Sequence, residues 1–326
     1  MSRALAPLLL LLAACGGDTS EVICPAHETV RLNVYPLPEG GVIHLDGATG
    51  EDAWALAPLT VIKLSGPGPE KVHLQAAYDE KRIYLLVQWQ DDDKSQNYVW
   101  RFTEALQWQR REGEDAFTIF WAPGSLYDHY LAHPDDFFVH GEEPAIPVQR
   151  GFMDVWYWGA QRTPLGKADD MVLRYLEGQK LRRDGATHGS GTIPNENSKF
   201  VGPAFVPRRI KNRNAIARFL MYDNAQALTK EKWDRLDKNS NIGWEVSRFV
   251  LRPVLGSRAD VDGKARFVGN AWILELARDL ETGNPDDLPL DDPLIPYLFA
   301  VGIHDGTAED EHARSGPVEL RFMPRK

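Results

Sequence analysis

Apolar and polar residues alternate in short runs along most of the chain. Six runs show the pattern most clearly, and their apolar positions are Val30, Leu32 and Val34; Ile83, Leu85, Val87 and Trp89; Phe117, Ile119 and Trp121; Trp272, Leu274 and Leu276; Tyr297, Phe299, Val301 and Ile303; and Val318, Leu320 and Phe322. A period of two is typical of strands with one buried face, and Gly, Pro and Asp bound the runs. So many short strands predict an all-β protein, an antiparallel β-sandwich.

The segment from about residue 165 to residue 244 lacks such runs and is rich in charge, Gly, Pro and Asn, as in Pro194-Asn195-Glu196-Asn197. We interpret it as a long irregular insertion that carries one short helix near Ala225 to Leu236. Loops of this length in compact domains tend to be functional. The sequence therefore predicts a single sandwich domain over residues 29–326 that contains this insertion.

The N-terminus has the build of an export signal. Arg3 precedes the apolar stretch Leu8 to Leu12, which is too short for a membrane-spanning helix of about 20 residues. Such a segment is typical of a signal peptide, which we expect to comprise residues 1–14.

The residues that follow resemble a bacterial lipobox, Leu12-Ala13-Ala14-Cys15. The resemblance implies that Cys15 becomes the lipidated N-terminus and that residues 15–28 form a tether to the membrane. Gly16 follows the cysteine where Asp would favour retention in the inner membrane, so we expect an outer-membrane protein that faces the periplasm. The alternative is an ordinary secretory signal with an incidental cysteine.

Composition excludes several classes of function. A net charge of −10 and an isoelectric point near 5.4 argue against nucleic-acid binding. With Cys15 lipidated, Cys24 has no intrachain partner, so no internal disulfide is expected. Cys24-Pro25-Ala26-His27 has one cysteine where covalent haem attachment normally has two, which argues against a c-type haem.

No nucleophile elbow, phosphate loop, dinucleotide fingerprint or His-Glu-x-x-His site occurs in the sequence. We therefore expect no catalytic residue in this chain. His44-Leu45-Asp46-Gly47 and the later Asp52-Ala53-Trp54 resemble the entrance of sandwiches related to family-9 carbohydrate-binding modules and DOMON domains. Trp54 and Trp89 are expected in the core.

A more specific resemblance lies in Met153-Asp154-Val155-Trp156-Tyr157-Trp158-Gly159-Ala160-Gln161-Arg162. This stretch is similar to the signature of the haem-binding subunit family of ethylbenzene dehydrogenase and related dimethyl-sulfoxide-reductase-type enzymes. Further pieces follow in the same order, and they include Gly243-Trp244-Glu245-Val246, Gly256-Ser257-Arg258, Ala277-Arg278-Asp279 and Val301-Gly302-Ile303-His304-Asp305. The resemblance covers most of the chain from about Val42 to Phe322.

The resemblance implies a sandwich that binds one non-covalent haem b through two axial side chains and passes electrons. The partner would be a redox protein, either a molybdenum enzyme or a multihaem cytochrome. In that family the axial ligands are a methionine and a lysine. Arg314-Ser315-Gly316 stands where the lysine is expected, so the sequence offers no matching lysine and the ligand candidates are argued from chemistry.

The candidate iron ligands are Met153, His304 and His140, because thioether and imidazole groups suit haem iron. Trp156 and Trp158 either line a porphyrin pocket or fill the sandwich. Arg162 either binds a haem propionate through bidentate hydrogen bonds or pairs with one of two nearby carboxylates, Asp169 and Asp170.

Weaker patterns leave other functions open. His129 and His133 would share one face of a helix, and Asp91-Asp92-Asp93 resembles a hard-cation loop or a solvated turn. A carbohydrate-type binding module without haem would use exposed aromatic residues, for which Trp100, Trp108 and Tyr127 are candidates. A third hypothesis is a structural subunit that has lost its haem and keeps its partner.

Overall fold

A computed structural model describes residues 29–133, 152–163, 166–176, 179–184, 191–197, 206–210, 219–235, 237–307 and 312–325. Thirteen strands form one large sheet. They are β1 (Val30–Pro36), β2 (Thr60–Ser65), β3 (Lys71–Tyr78), β4 (Arg82–Gln90), β7 (Glu114–Trp121), β8 (Phe152–Gly159), β9 (Asp169–Leu176), β10 (Gln179–Asp184), β19 (Asp262–Phe267), β20 (Ala271–Asp279), β21 (Tyr297–Thr307), β22 (Ala313–Ser315) and β23 (Val318–Phe322).

Short strands form smaller sheets beside the large one. They are β5 (Val99–Phe102), β6 (Trp108–Arg110), β11 (Thr192–Pro194), β12 (Glu196–Asn197), β13 (Val206–Pro207), β14 (Arg209–Ile210), β15 (Leu220–Met221), β16 (Gln226–Ala227), β17 (Glu245–Ser247) and β18 (Phe249–Leu251). The α-helices of the described residues are α1 (Asp52–Leu56), α2 (Tyr127–Ala132) and α3 (Lys230–Asp234).

The large sheet folds over to make two layers. Its strand order is β10-β9-β8-β7-β21-β22-β2-β3-β4-β20-β19, and β1 pairs with both β23 and β3. The half with β7, β8 and β21 faces the half with β3, β4 and β20. Trp158 and Trp272 come from opposite halves, and their ring centroids are 5.0 Å apart. The predicted β-sandwich is confirmed, with β1 as a parallel strand in an otherwise antiparallel arrangement.

One hydrophobic core fills the space between the layers, and all six alternating runs contribute to it. Each run forms a strand, and its apolar positions point inward because successive side chains alternate between faces. Trp54 and Trp89 are each 2% exposed, as expected of core residues.

The predicted insertion begins later than residue 165. β9 and β10 fall within it, but they extend the large sheet because β9 pairs with β8 and β10 pairs with β9. The predicted short helix exists as α3, which spans five residues. It begins after Thr229, whose side chain accepts a hydrogen bond from the amide of Lys232.

Several sequence predictions lie outside the described residues. They concern the signal peptide, Cys15 with its tether, Cys24 and His140. Within the part of the chain that the structure describes, no helix has the length and apolar character needed to cross a bilayer.

Candidate functional site

Met153 lies on the outer face of the large sheet, in an apolar cluster separate from the main core. Phe120, Tyr130 and Leu298 are among its buried neighbours, and Met153 itself is 0% exposed. The cluster is covered by α2, which contributes Tyr130 and the partly buried Tyr127 and Leu131. A thioether is therefore held in an apolar environment between a sheet and a helix.

His129 of α2 and His133, which directly follows that helix, lie close together, as their spacing predicts. The rings of His129 and His133 are stacked, with centroids 4.7 Å apart. Neither belongs to a group of three metal-ligating side chains among the described residues. Two imidazoles alone are a weak metal site.

Trp156 and Trp158 lie on the other face of β8. Both are in the main core, where Trp158 packs edge-on against Trp89 with centroids 6.3 Å apart. They fill the sandwich, so the strand itself separates them from any group bound at Met153. Even and odd positions of one strand point to opposite faces, so this stretch cannot line a single pocket.

A buried ion pair lies beside Trp156. The guanidinium carbon of Arg278 is 4.7 Å from the Trp156 ring centroid, and Nη1 of Arg278 donates to Oδ2 of Asp154 at 2.5 Å. Asp170 is 3.8 Å from the same nitrogen. Burial opposes the charge on Arg278, but Asp154 and Asp170 outweigh it and raise its pKa.

Asp170 and Asp287 complete this group. Burial and the neighbouring Asp154 raise the pKa of Asp170 well above its usual range, which favours the protonated form of Asp170. Burial raises the pKa of Asp287 to about 6, against the hydrogen bond that it accepts from Thr282. Arg278 thus places one positive charge against two of the three carboxyl groups in this cluster, Asp154 and Asp170.

Arg162 is paired at the far end of β8. Its Nε donates to Glu114, its Nη2 donates to the hydroxyl of Tyr157 at 2.5 Å, and its guanidinium carbon lies 4.7 Å from the Tyr98 ring centroid. The predicted pairing with Asp169 or Asp170 is wrong, because Asp169 accepts two hydrogen bonds from Arg258 instead. Because Nε and Nη2 of Arg162 already donate to Glu114 and Tyr157, fewer of its N–H groups remain for a haem propionate.

His304 lies on the same outer face as Met153, at the other end of the sheet. It is 8% exposed, and its ring centroid is 4.8 Å from that of His312. His304 pairs with Ala116 of β7, whereas Met153 is level with Ala122, which directly follows that strand. Six residues of strand span roughly 20 Å. Met153 and His304 therefore cannot both bind one iron.

The aromatic residues considered for carbohydrate binding are not an exposed platform. Trp100 is 1% exposed and donates to the carbonyl of Asn195, so its predicted exposure is wrong. Trp108 packs against Phe102 and Trp233. The hydroxyl of Tyr127 donates to Glu319 at 2.5 Å.

Three arginine–carboxylate pairs involve residues of the signature stretch or of the pieces that follow it. Arg278 binds Asp154, Arg258 binds Asp169, and Arg162 binds Glu114. The sequence alone assigns no role to Arg258 or Arg278. The available signal was that each lies in one of the downstream pieces that resemble the family in the same order. The class defined by this fold and site is a two-layer β-sandwich whose signature residues are held by buried ion pairs.

The chain belongs to the ethylbenzene dehydrogenase family. The family model described as "Ethylbenzene dehydrogenase" matches residues 62–315, which include all three arginine–carboxylate pairs. No curated protein matches this chain.

Solved structures of similar shape include carbohydrate-binding proteins. A family-9 carbohydrate-binding module from Caldicellulosiruptor kristjanssonii, solved with cellotriose, has a TM-score of 0.35 and 10% identity over 90% of this chain and 95% of the module. A candidate carbohydrate-binding protein from Bacteroides uniformis has a TM-score of 0.39 and 7% identity over 91% of this chain and 100% of that protein.

Proposed function

We propose that the protein is a haem b-binding, electron-transferring subunit of an extracytoplasmic redox complex, and that Met153 is an iron ligand. Two observations support the proposal: the family match over residues 62–315 and the burial of Met153 in an apolar cluster under α2. The burial of Met153 is the observation that supports its assignment as an iron ligand. Haem b, when bound, supplies a one-electron Fe(III)/Fe(II) couple whose potential depends on its axial ligands.

Some of the described candidate residues suit a haem, and others do not. The Met153 thioether is a suitable donor, and Phe120, Tyr130, Leu298 and the partly buried Met171 give it an apolar surround. Trp156 and Trp158 lie on the opposite face of the strand, and His304 is too distant to share an iron with Met153. Among the candidate haem-binding residues that the structure describes, the proposal therefore keeps Met153 alone and assigns no second ligand.

The proposal includes a location and a partner. Cys15 would carry the lipid after removal of residues 1–14 and would hold the protein at the outer membrane, on the periplasmic side. The redox partner would be a molybdenum enzyme or a multihaem cytochrome. An anchor with more than one acyl chain keeps such a subunit stably at the membrane.

The spectrum of the purified full-length protein tests the haem proposal. We expect a Soret band with a six-coordinate b-type spectrum after addition of haem, and we expect Met153→Leu to change it. Met171→Leu is the matched control, because Met171 belongs to the edge of the same cluster. A colourless protein that takes up no haem would overturn the haem proposal. Identical spectra for wild type and Met153→Leu would overturn the assignment of Met153 as an iron ligand.

The same preparation separates the alternatives. A colourless protein that binds glycans would indicate a carbohydrate-type module on the same sandwich. A colourless protein that copurifies with a molybdenum enzyme or a multihaem cytochrome would indicate a structural subunit without haem.

A further inference from the structure

Three aspartates from three strands meet at one end of the sandwich. Asp91 directly follows β4, Asp115 is near the start of β7, and Asp305 lies in β21. Each offers a carboxylate oxygen within 4.8 Å of the others. Two oxygens that bind one Ca²⁺ at about 2.4 Å can be at most about 4.8 Å apart. The three carboxylates are therefore close enough to contact a single ion.

Hydrogen bonds fix the orientation of the Asp115 carboxylate. Its Oδ2 accepts from the amide of Ser95 at 2.6 Å and from Nε1 of Trp272 at 3.0 Å. Its Oδ1 accepts from the amide of Gly306 at 2.9 Å. A carboxylate oxygen has two lone pairs, so Oδ1 retains acceptor capacity for another ligand.

Asp91 supplies a buried oxygen that lacks a partner. The residue is 4% exposed, and its Oδ1 accepts from the amide of Asp93 at 3.1 Å. Its Oδ2 is buried and has no hydrogen-bond partner. An unpaired charged oxygen is costly to bury, and a bound cation would remove that cost.

The two aspartate clusters differ in their counter-charge. The cluster of Asp154, Asp170 and Asp287 contains Arg278, which forms salt bridges with Asp154 and Asp170. Among the described residues, no lysine or arginine forms a salt bridge with Asp91, Asp115 or Asp305. Lys94 is in the adjoining loop, but its Nζ lies over the Trp272 ring, 5.5 Å from the centroid.

The pKa values of the three aspartates are consistent with the absence of an ion-paired counter-charge. Burial and the neighbouring aspartates raise the pKa of Asp91 to about 6, and burial and Asp91 raise the pKa of Asp115 to about 7. Burial and Asp93 also raise the pKa of Asp305. A bound proton or a bound cation would relieve this repulsion, and no described lysine or arginine forms an ion pair with these carboxylates.

We propose that Asp91, Asp115 and Asp305 bind one hard divalent cation, of which Ca²⁺ is the best match. Three carboxylates suit Ca²⁺ because it prefers several oxygen ligands in flexible geometry. The ion would join β4 in one layer to β7 and β21 in the other. This site is independent of haem binding, since it lies at the opposite end of the sheet from Met153.

Terbium luminescence tests the site directly. Tb³⁺ substitutes for Ca²⁺, and Trp272 lies close enough to sensitise it because its indole is hydrogen-bonded to Asp115. The full-length protein, purified in detergent and freed of metal with EDTA, should show Tb³⁺ emission at pH 7.5 when tryptophan is excited. Ca²⁺ should displace the Tb³⁺, and Ca²⁺ alone should raise the unfolding temperature.

Asp305→Asn is the most informative variant, because Asp305 is half-buried and its loss leaves the hydrogen bonds of Asp115 in place. We expect Ca²⁺ affinity to fall at least tenfold. Asp52→Asn, at an exposed acidic residue of α1, is the matched control and should bind as wild type does. Absence of Ca²⁺-sensitive emission in the wild type, or equal affinity in Asp305→Asn, would overturn the proposal and favour carboxyl groups that share a proton.

Discussion

Nη1 of Arg278 and Oδ2 of Asp154 are 2.5 Å apart, and both side chains are 0% exposed. The pair joins β20 of one layer to β8 of the other through the main core. Burying two charges is expensive, and their attraction repays the expense only when both partners remain. Loss of either partner should therefore destabilise the sandwich.

We expect Arg278→Met to lower the free energy of unfolding by about 3–5 kcal/mol, because it leaves Asp154 buried without its counter-charge. Denaturant unfolding measures this loss. Arg82→Met is the control, since the salt bridges of Arg82 with Asp262 and Asp279 are partly exposed and should contribute about 0–1 kcal/mol. Equal losses in the two variants would contradict the importance of the buried pair.

The raised pKa of Asp287 predicts a pH dependence. Its folded pKa of about 6 lies above that of the unfolded chain, so the folded state binds the proton more tightly. The free energy of unfolding should therefore fall as the pH rises from about 4 to about 6. Asp287→Asn should reduce this fall by roughly 1–2 kcal/mol. The exposed Asp52→Asn should leave the profile unchanged, and an unaltered profile in Asp287→Asn would refute the prediction.

Glu275 fixes the loop that contains the Asp46-Gly47 turn. Its Oε2 accepts from the amides of Asp46 and Gly47, each at 2.8 Å, and its Oε1 accepts from Nε1 of Trp54 at 3.0 Å. Glutamine has one acceptor oxygen, so Glu275→Gln should leave at least one donor unsatisfied and cost about 1–3 kcal/mol. Faster amide hydrogen exchange at Gly47 is the specific readout. The exposed Glu281→Gln should change neither quantity.

The close approach of Gly113 and Gly306 predicts intolerance to a side chain. Gly113 has φ of +104°, and a Cβ there would lie 2.0 Å from the carbonyl oxygen of Gly306. Gly113→Ala should destabilise the protein by at least about 2 kcal/mol. A Cβ at Gly50 meets nothing within 4 Å, so Gly50→Ala is the matched control in thermal unfolding. Similar unfolding temperatures for the two variants would count against this close contact.

The fold was predictable because strand periodicity is a local property. Alternation placed the apolar positions of six strands, and each position faces the main core. The same rule could have corrected the site prediction. Met153 and Trp156 are three residues apart, so they point to opposite faces of any continuous strand.

The relationships between distant strands were not predictable in this way. Asp115 and Asp305 become neighbours because Ala116 pairs with His304 across β7 and β21. No local pattern specifies that register. Asp91 lies in a conspicuous acidic run, but the run alone gives no indication of its two partners. The pairing of Arg162 with Glu114 was missed for the same reason.

The parallel pairing of β1 with β23 has a consequence for how the protein is made. Arg31 and Glu319 are 288 residues apart in the chain, and their strands are neighbours in the finished sheet. The sandwich cannot close until almost the whole polypeptide has been synthesised, and such long-range pairing slows folding. The last long strand to be synthesised, β23, is therefore the strand that completes the sandwich by pairing with β1.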